Sequence, residues 1–261
     1  MSKVTSVMIV CKKRYSEVAT ISVPSFIRHH PGKNLCILAD ASGIKALSGI
    51  SGKGVKVVPL GKIRKVAAAA LRVSSFQVFK YGKEHHDRAY SSMKPLLMEL
   101  AVAVAFPATK YIMGLDSDSI FTGNIMDKVE GIVERDAGKY ELYMVQRTDP
   151  RMLVCRGKNP APGSGFVLWA RSGRYISLFK KMFIKKYTRF RGGGSQGLTN
   201  MIRRKIPSRI LTNPAFHFVS PDLKKPNITD AEILAIGPAY IHLHGAESFS
   251  RLERFRKVFD G

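Results

Sequence analysis

One short stretch, residues 111–121, constrains this chain more than any other. It reads Tyr-Ile-Met-Gly-Leu-Asp-Ser-Asp-Ser-Ile-Phe and predicts a buried strand that runs into two carboxylates one residue apart. Alternate residues of an extended chain lie on the same side, so we expect Asp116 and Asp118 to point at one spot, with Ser117 facing away. Carboxylates placed in this way repel each other unless a cation lies between them. Oxygen ligands with no thiolate nearby favour Mg²⁺ or Mn²⁺.

An Asp-Ser-Asp sequence is also common in ordinary turns, because Asp and Ser hydrogen-bond to their own backbone. Its surroundings favour the metal site. An apolar run precedes it directly, and an apolar helix is predicted before that over residues 95–104. A ligand site at the end of a strand in an α/β sheet requires this arrangement. A divalent ion bound there can neutralise the charge that builds on a departing nucleoside diphosphate.

The order of predicted elements indicates an α/β fold. Buried strands are predicted over 6–11, 34–39 and 55–60, and a helix over 16–30 separates the first two. Pro24 predicts a kink or break in that helix. The later predicted elements are helices over 67–71, 95–104, 125–137, 172–187, 198–204 and 248–259 and strands over 141–146, 163–169 and 239–245. At 261 residues, a single domain with a substantial core is expected.

The formal net charge of +24 indicates attraction to polyanions: nucleic acid, an anionic membrane or a phosphorylated substrate. A solubilising surface explains the charge equally well. The basic residues are spread along the chain, which argues against a nucleic-acid-binding tail. No secretory leader and no apolar run of about 18 residues is present, so a soluble, cytoplasmic protein is expected. Neither a dinucleotide-binding glycine motif nor a P-loop occurs.

A late strand, predicted over 239–245, carries His242 and His244 on one face. One of these imidazoles can complete the metal shell that Asp116 and Asp118 begin. A pair of hydrogen-bonded histidines at a strand edge is the alternative, and the strand alone favours it.

The order of these motifs resembles the nucleotide-sugar glycosyltransferases of the GT-A fold. The shared features are a β-α-β start, a helix opening with Lys94, the Asp-x-Asp strand end, a Gly-Ser-Gly-Phe-x-Leu-Trp strand, a Gln-bearing loop before a helix and a late His-x-x-Gly. They cover nearly the whole chain and are most similar to small glycogenin-like, bacterial or viral sugar transferases. If the protein is viral, its expected location is the cytoplasm of the host cell. The resemblance implies a mixed, mostly parallel sheet flanked by helices, with a nucleotide-binding half over 1–121 and an acceptor-binding half over 122–261.

The resemblance also implies roles for individual residues. Metal ligands would be Asp116 and Asp118, with Asp118 the firmer, and His242, with His244 as its alternate. Lys94 would assist the phosphate or donor sugar, and Gln196 would border the donor sugar and acceptor. The residues implied to bind the donor nucleotide-sugar are Val10, Cys11, Asp40, Lys94, Asp116, Ser117, Asp118, Ser164, Gly165 and Gly245.

The chain departs from the family pattern at several positions. Many relatives have Asn where Gly163 stands, Asp where Ser195 stands, and Lys-Pro-Trp where residues 246–248 read Ala-Glu-Ser. The donor sugar and the stereochemistry therefore stay open. An inverting enzyme requires a carboxylate that takes the acceptor proton, and Asp149 in the predicted loop 147–162 is the candidate. It fits a turn residue equally well, and a retaining enzyme has no such requirement.

Together these features predict a Mn²⁺- or Mg²⁺-dependent glycosyltransferase. It would move a sugar from a nucleoside-diphosphate sugar, with UDP the first candidate, to a hydroxyl of a glycan, glycoprotein or glycolipid. The basic residues of 61–80 also allow peripheral contact with an anionic membrane, although a solvated helix face is the favoured interpretation of this segment. The alternative is a nucleotidyltransferase or a nucleic-acid-binding protein that uses the positive charge. No aromatic cluster of the kind that nucleic-acid-binding proteins use is evident, so nucleic acid is not the expected partner.

Overall fold

A seven-stranded mixed sheet organises the chain in the computed structural model, which describes residues 3–11, 13–70, 83–145, 166–186, 194–211, 218–219, 239–242, 253 and 257. The helices are α1 (Lys13–His29), α2 (Ala41–Ala46), α3 (Leu60–Ala70), α4 (Lys83–Ala105), α5 (Ile125–Asp136), α6 (Tyr175–Lys186) and α7 (Gly194–Ile202). The strands are β1 (Val4–Val10), β2 (Asn34–Ala39), β3 (Val55–Pro59), β4 (Tyr111–Leu115), β5 (Ser119–Phe121), β6 (Leu142–Val145), β7 (Phe166–Ala170), β8 (Ser208–Leu211), β9 (Phe218–Val219) and β10 (Tyr240–His242).

The strand order of the main sheet is β3-β2-β1-β4-β7-β6-β8. The pairs among β3, β2, β1 and β4 are parallel, and β7 runs antiparallel to both of its neighbours. The sheet is thus mixed and mostly parallel, with helices on its faces in one domain, as expected. β1 lies between β2 and β4, so the strand order reverses next to the carboxyl end of β4. A ligand site in a sheet of this kind is expected at such a reversal.

Alternate residues of β1 divide the core between two faces of the sheet. Val7 and Ile9 belong to a cluster that also takes side chains from α3, α4, α6 and α7. Met8 and Val10 belong to a second cluster with α1, α5 and β5. The seven residues of β1 are all buried, as both faces of a central strand require.

A second, three-stranded sheet holds the late histidine strand. β10 pairs antiparallel with β5, and in this register His242 lies opposite Ser119. β5 follows β4 after only three residues, 116–118, so the small sheet begins where the central strand ends. This pairing connects the last described strand of the chain to the carboxylate turn.

The predicted break at Pro24 and the predicted helix start at Pro95 are both wrong. α1 runs unbroken through Pro24 from Lys13, and α4 begins 12 residues before Pro95 at Lys83, so Pro95 lies inside the helix. An internal proline costs about 3 kcal/mol. Each large apolar side chain that these helices bury stabilises the folded protein by roughly 1.5–3 kcal/mol. Helix α4 alone buries five side chains of Met, Leu or Val. Tertiary packing therefore outweighs the local signal.

Within the described parts of the chain, no helix combines the length and apolar character needed to cross a membrane.

Candidate functional site

Asp116 and Asp118 converge with His242 at the carboxyl end of β4. Nε2 of His242 lies 3.1 Å from Oδ1 of Asp118 and 3.4 Å from Oδ2 of Asp116. One ligand atom from each residue lies within 4.8 Å of the others. The imidazole is buried, with 1% of its side chain exposed, and the carboxylates are mostly buried. The turn at 116–118 and the β5–β10 pairing bring these side chains together, as the alternation of residues predicted.

Lys94 approaches the same carboxylate pair from the opposite element, α4. Its Nζ donates to Oδ1 of Asp116 at 2.6 Å. Burial lowers the pKa of Lys94, but the Asp116 carboxylate outweighs burial and the pKa is raised above its ordinary value. Lys94 is therefore a cation at this site.

His242 responds to the same negative charge. Burial lowers the pKa of its imidazole, and the carboxylates of Asp118 and Asp116 together reverse that effect, so the pKa is raised. The ammonium group of Lys94 and the imidazole of His242 thus both contact the carboxylate pair. Lys94 offsets part of the repulsion expected between Asp116 and Asp118 within the protein.

The backbone of the carboxylate turn is held by two residues that sequence reasoning missed. Oγ of Ser119 donates to the carbonyl oxygen of Asp116 at 2.6 Å, and the hydroxyl of Tyr240 donates to the same oxygen at 3.5 Å. Burial raises the pKa of Tyr240 well above its ordinary value, so it remains a donor. Tyr240 and His242 are alternate residues of one strand and share a face, which is the signal that could have identified Tyr240.

Helix α1 supports β5 just beyond the turn. The backbone N–H of Phe121 donates to Oγ of Ser25 at 3.1 Å. At the end of α1, Nε2 of His30 accepts from the N–H of Ile125 at 3.1 Å, and its Nδ1 contacts the carbonyl of Phe26 at 2.9 Å. Because Nε2 accepts, the proton of the neutral ring is on Nδ1. His30 thereby satisfies one of the free N–H groups at the start of α5.

The ends of β1 and β2 lie next to each other and carry three residues predicted to bind the nucleotide. The N–H of Asp40 donates to the carbonyl of Val10 at 3.1 Å, and Cys11 follows, half-buried. Oδ1 of Asp40 accepts from the N–H of Gly43 at 2.9 Å and from Oγ of Ser42 at 2.6 Å. Asp40 is therefore the N-cap of α2, a role that the sequence interpretation did not assign.

A small pocket extends from the carboxylate turn between the sheet and helices α4, α6 and α7. Its interior of about 30 Å³ accommodates one or two water molecules. Lys94 and Asp116 form its polar end, and Trp169 lines its apolar part. Tyr175 and Thr199, whose hydroxyl oxygens lie 2.7 Å apart, join α6 to α7 on its far side. This contact fixes the helix that carries Gln196.

The remaining predicted residues are placed as follows. Gln196 lies in the first turn of α7, which begins at Gly194. The prediction that Gln196 lies in a loop before this helix is therefore wrong. Its side chain lies outside the described residues, as do Asp149, Ser164, Gly165, His244 and Gly245. Ser117, which separates the two aspartates in the sequence, is buried, with 5% of its surface exposed.

The chemistry of the carboxylate–imidazole group suits a divalent cation. Two carboxylate oxygens and one imidazole nitrogen, mutually within 4.8 Å, can surround one ion. Carboxylate oxygens suit Mg²⁺ and Mn²⁺, and an imidazole is a further ligand for a transition ion.

No protein-family model matches the sequence, and no curated protein matches it significantly. Solved structures do match. Mouse xyloside xylosyltransferase 1 in its apo form has a TM-score of 0.60 at 14% identity, over 91% of this chain and 96% of that one. The galactosyltransferase LgtC, in complex with donor and acceptor sugar analogues, has a TM-score of 0.58 at 12% identity, over 98% and 95%.

A third similar structure is the bifunctional glycosyltransferase WbbM, with a TM-score of 0.57 at 13% identity, over 95% of this chain and 49% of that one. At these identities the likeness establishes the fold. The strand order, the carboxylate turn at the end of β4 and these structures agree: the chain has the GT-A fold of nucleotide-sugar glycosyltransferases.

Proposed function

We propose that the protein is a metal-dependent glycosyltransferase that moves a sugar from a nucleoside-diphosphate sugar to an acceptor hydroxyl. The convergence of Asp116, Asp118 and His242 next to the strand-order reversal is the observation that carries this proposal. A turn without function does not require three buried titratable groups from two distant segments. UDP is the first candidate nucleotide, and the acceptor is a hydroxyl of a glycan, glycoprotein or glycolipid.

The metal would be Mn²⁺ or Mg²⁺, held by Asp116, Asp118 and His242. The oxygen and nitrogen donor set and its spacing support this assignment. When bound, the ion supplies positive charge that stabilises the departing diphosphate. Nε2 of His242 can act as a metal ligand only when it carries no proton. The carboxylates raise the pKa of His242, so protonation of the imidazole competes with metal binding.

Lys94 would supply a second positive charge to the leaving group. Its Nζ already lies 2.6 Å from the carboxylate pair, and its side chain is about one-third exposed toward the site. A cation held in advance near the place where negative charge develops stabilises the transition state without costly rearrangement. The geometry thus supports an electrostatic role for Lys94 rather than proton transfer, because its raised pKa keeps it charged.

The nucleotide would bind against the ends of β1 and β2, in the half formed by 1–121, with acceptor binding assigned to 122–261. Val10 and Cys11 would line the pocket, and Asp40 would approach the base or ribose. Asp40 accepts two hydrogen bonds through Oδ1 while capping α2, which orients its carboxylate. The roles of Ser117, Ser164, Gly165, Gln196, Gly245 and His244 remain proposals from the family resemblance, as does Asp149 as a base in an inverting mechanism.

Sugar transfer is favoured over nucleotidyl transfer and over nucleic-acid binding. The similar proteins described above are all sugar transferases. A pure nucleic-acid-binding module has no use for a buried group of two carboxylates and an imidazole, and its affinity falls steeply with salt.

The test is a turnover assay with a panel of UDP-, GDP- and other nucleotide sugars, in the presence of Mn²⁺ or Mg²⁺. Release of the nucleoside diphosphate is measured with and without candidate acceptors. We expect release from one donor class, dependent on the ion and abolished in Asp118→Asn. Glu134→Gln is the matched control, because it removes one exposed carboxylate outside the site. Full turnover by Asp118→Asn in metal-free buffer would overturn the proposal.

A further inference from the structure

One edge of the main sheet is formed by a stretch of chain that is rich in basic residues and contains no acidic ones. Between Asp40 and Glu84 the sequence holds nine Lys or Arg residues and no Asp or Glu. The described part of this stretch, 41–70, comprises α2, β3, α3 and their connections and is called the basic rim below. Its six basic residues are Lys45, Lys53, Lys56, Lys62, Arg64 and Lys65.

Several basic side chains elsewhere on the described surface lie against carboxylates. Lys33 is held by both Asp127 and Glu130 at 2.7 Å, and Lys3 and Arg209 each have a carboxylate partner. The exposed rim lysines have no carboxylate in their own stretch of chain. These five residues are Lys45, Lys53, Lys56, Lys62 and Lys65. Their charge is therefore available to an external partner.

The rim surrounds the exposed edge of the sheet. β3 is the terminal strand of the sheet, paired only with β2 in the described structure. α3 packs on one face of the sheet through Ile63 and Ala67, while Leu47, just after α2, packs on the other. The two helices flank the edge strand, so basic residues of all three elements lie along one border of the molecule.

Exposed aliphatic side chains lie among these lysines. Ile44, Val57 and Val66 are 41%, 40% and 51% exposed, and each is adjacent in sequence to a basic-rim lysine. Val104, 69% exposed, lies next to the Ala105 carbonyl that accepts from Nζ of Lys56 at 2.7 Å. Aliphatic side chains that alternate with lysines are typical of a lipid interface. The aliphatic groups insert at the boundary of the acyl chains, and the ammonium groups bind the anionic headgroups. A single-stranded nucleic acid would instead favour aromatic stacking platforms.

We propose that the basic rim docks the protein on an anionic lipid bilayer. The carboxylate site lies at the end of β4, three strands from β3, a separation of roughly 14 Å at about 4.8 Å per strand. Docking through the rim therefore leaves the site open to substrate. This inference does not depend on which sugar or nucleotide the site uses.

The test is co-sedimentation of the whole protein with phosphatidylcholine vesicles that contain or lack phosphatidylglycerol. We expect binding to the anionic vesicles that weakens with salt, and none to the neutral ones. Each lysine near an anionic surface contributes a factor of about five to binding, so Lys62→Glu/Lys65→Glu should weaken it at least about 25-fold. The matched control is Lys128→Glu/Lys181→Glu, which makes the same charge change at exposed positions on α5 and α6.

Val66→Ser provides an independent measurement, because it removes an exposed apolar group and leaves the charge unchanged. We expect it to weaken vesicle binding several-fold and to leave the unfolding temperature unchanged. Equal loss in the rim and control double variants would overturn the proposal, since it would mean diffuse charge rather than a docking surface. The proposal would also be overturned if the protein did not bind vesicles, or bound anionic and neutral vesicles equally. A third contrary result would be a rim variant that loses binding to polyuridylate RNA and keeps its vesicle binding.

Discussion

Nε2 of His242 lies 3.1 Å from Oδ1 of Asp118, although 124 residues separate them in the chain. The antiparallel pairing of β10 with β5 produces this contact, because it places His242 opposite Ser119, the residue after Asp118. The site therefore depends on the small sheet as much as on the central strand. A change that separates β10 from β5 would remove one of three proposed metal ligands.

His242→Ala should weaken Mn²⁺ binding by more than the roughly 10–100-fold that follows loss of an outer-shell partner. The physical reason is direct: one of three proposed ligand atoms is removed. Titration of free Mn²⁺ followed by electron paramagnetic resonance measures the affinity. Tyr240→Phe, which removes the hydroxyl contacts to the Asp116 backbone and to Ser119 but no proposed ligand atom, serves as the comparison and should change the affinity far less. Equal affinities in wild type and His242→Ala would remove His242 from the shell.

Lys94→Met should separate metal binding from turnover. The substitution removes the cation that competes for Oδ1 of Asp116, so Mn²⁺ affinity should be unchanged or stronger. Charge stabilisation of the leaving diphosphate is lost, and kcat should fall on the order of 100-fold. Lys94→Arg keeps the charge and should retain more of the turnover. Measured Kd for Mn²⁺ and kcat for the donor give the two values, and a parallel loss of both would mean that Lys94 only shapes the site.

His30 should make the protein less stable in mild acid. Burial is the main cause that lowers the pKa of His30 from 6.5 to about 4. Between these pH values the unfolded chain binds a proton that the folded chain does not, so this contribution is complete above pH 6.5 and is lost as the pH falls toward 4. The full loss is on the order of 3 kcal/mol in the free energy of unfolding.

Denaturant unfolding across this pH range measures the effect. His30→Gln retains an acceptor for the Ile125 N–H and does not titrate, so its unfolding free energy should vary less with pH than that of the wild type. The same slope in both proteins would show that other groups cause the acid sensitivity.

Gly43→Ala should disturb the nucleotide side of the site. An added Cβ would lie 2.9 Å from the backbone oxygen of Val10 and 3.0 Å from Cβ of Ala39, and neither can rotate away. We expect a loss of roughly 1–3 kcal/mol in unfolding free energy together with weaker nucleotide binding. Gly61→Ala is the matched control, because its Cβ would meet nothing within 4 Å and alanine favours the helix. Unaltered stability of Gly43→Ala would contradict the close packing of α2 on β1.

The carboxylate pair was predictable because it depends only on local geometry. Two carboxylates one residue apart at a strand end are close in any compact connection, so Asp116 and Asp118 meet although residues 116–118 form a turn rather than the extended chain that alternation assumes. The α/β class followed from the order of apolar segments for the same reason. Lys94 was identified through the family resemblance, and the resemblance also favoured His242 over His244, since the contacts of Lys94 and His242 with the pair cross 22 and 124 residues.

Contacts that depend on tertiary packing were missed. Tyr240 reaches the Asp116 carbonyl only because β5 and β10 pair, and His30 reaches Ile125 only because α1 packs beside α5. The proline errors have the same origin. Local propensity indicated a break at Pro24 and a start at Pro95, whereas burial of the surrounding apolar side chains kept both helices continuous.

The most direct test of the central claim is isothermal titration of the wild-type protein with UDP, GDP and UTP, each with Mn²⁺ and after metal removal with EDTA. The proposed site predicts tight binding of one nucleoside diphosphate that requires the metal and is lost in Asp118→Ala. Binding of none of these nucleotides, or binding unaffected by EDTA and by Asp118→Ala, would contradict it and would make residues 116–118 an ordinary turn.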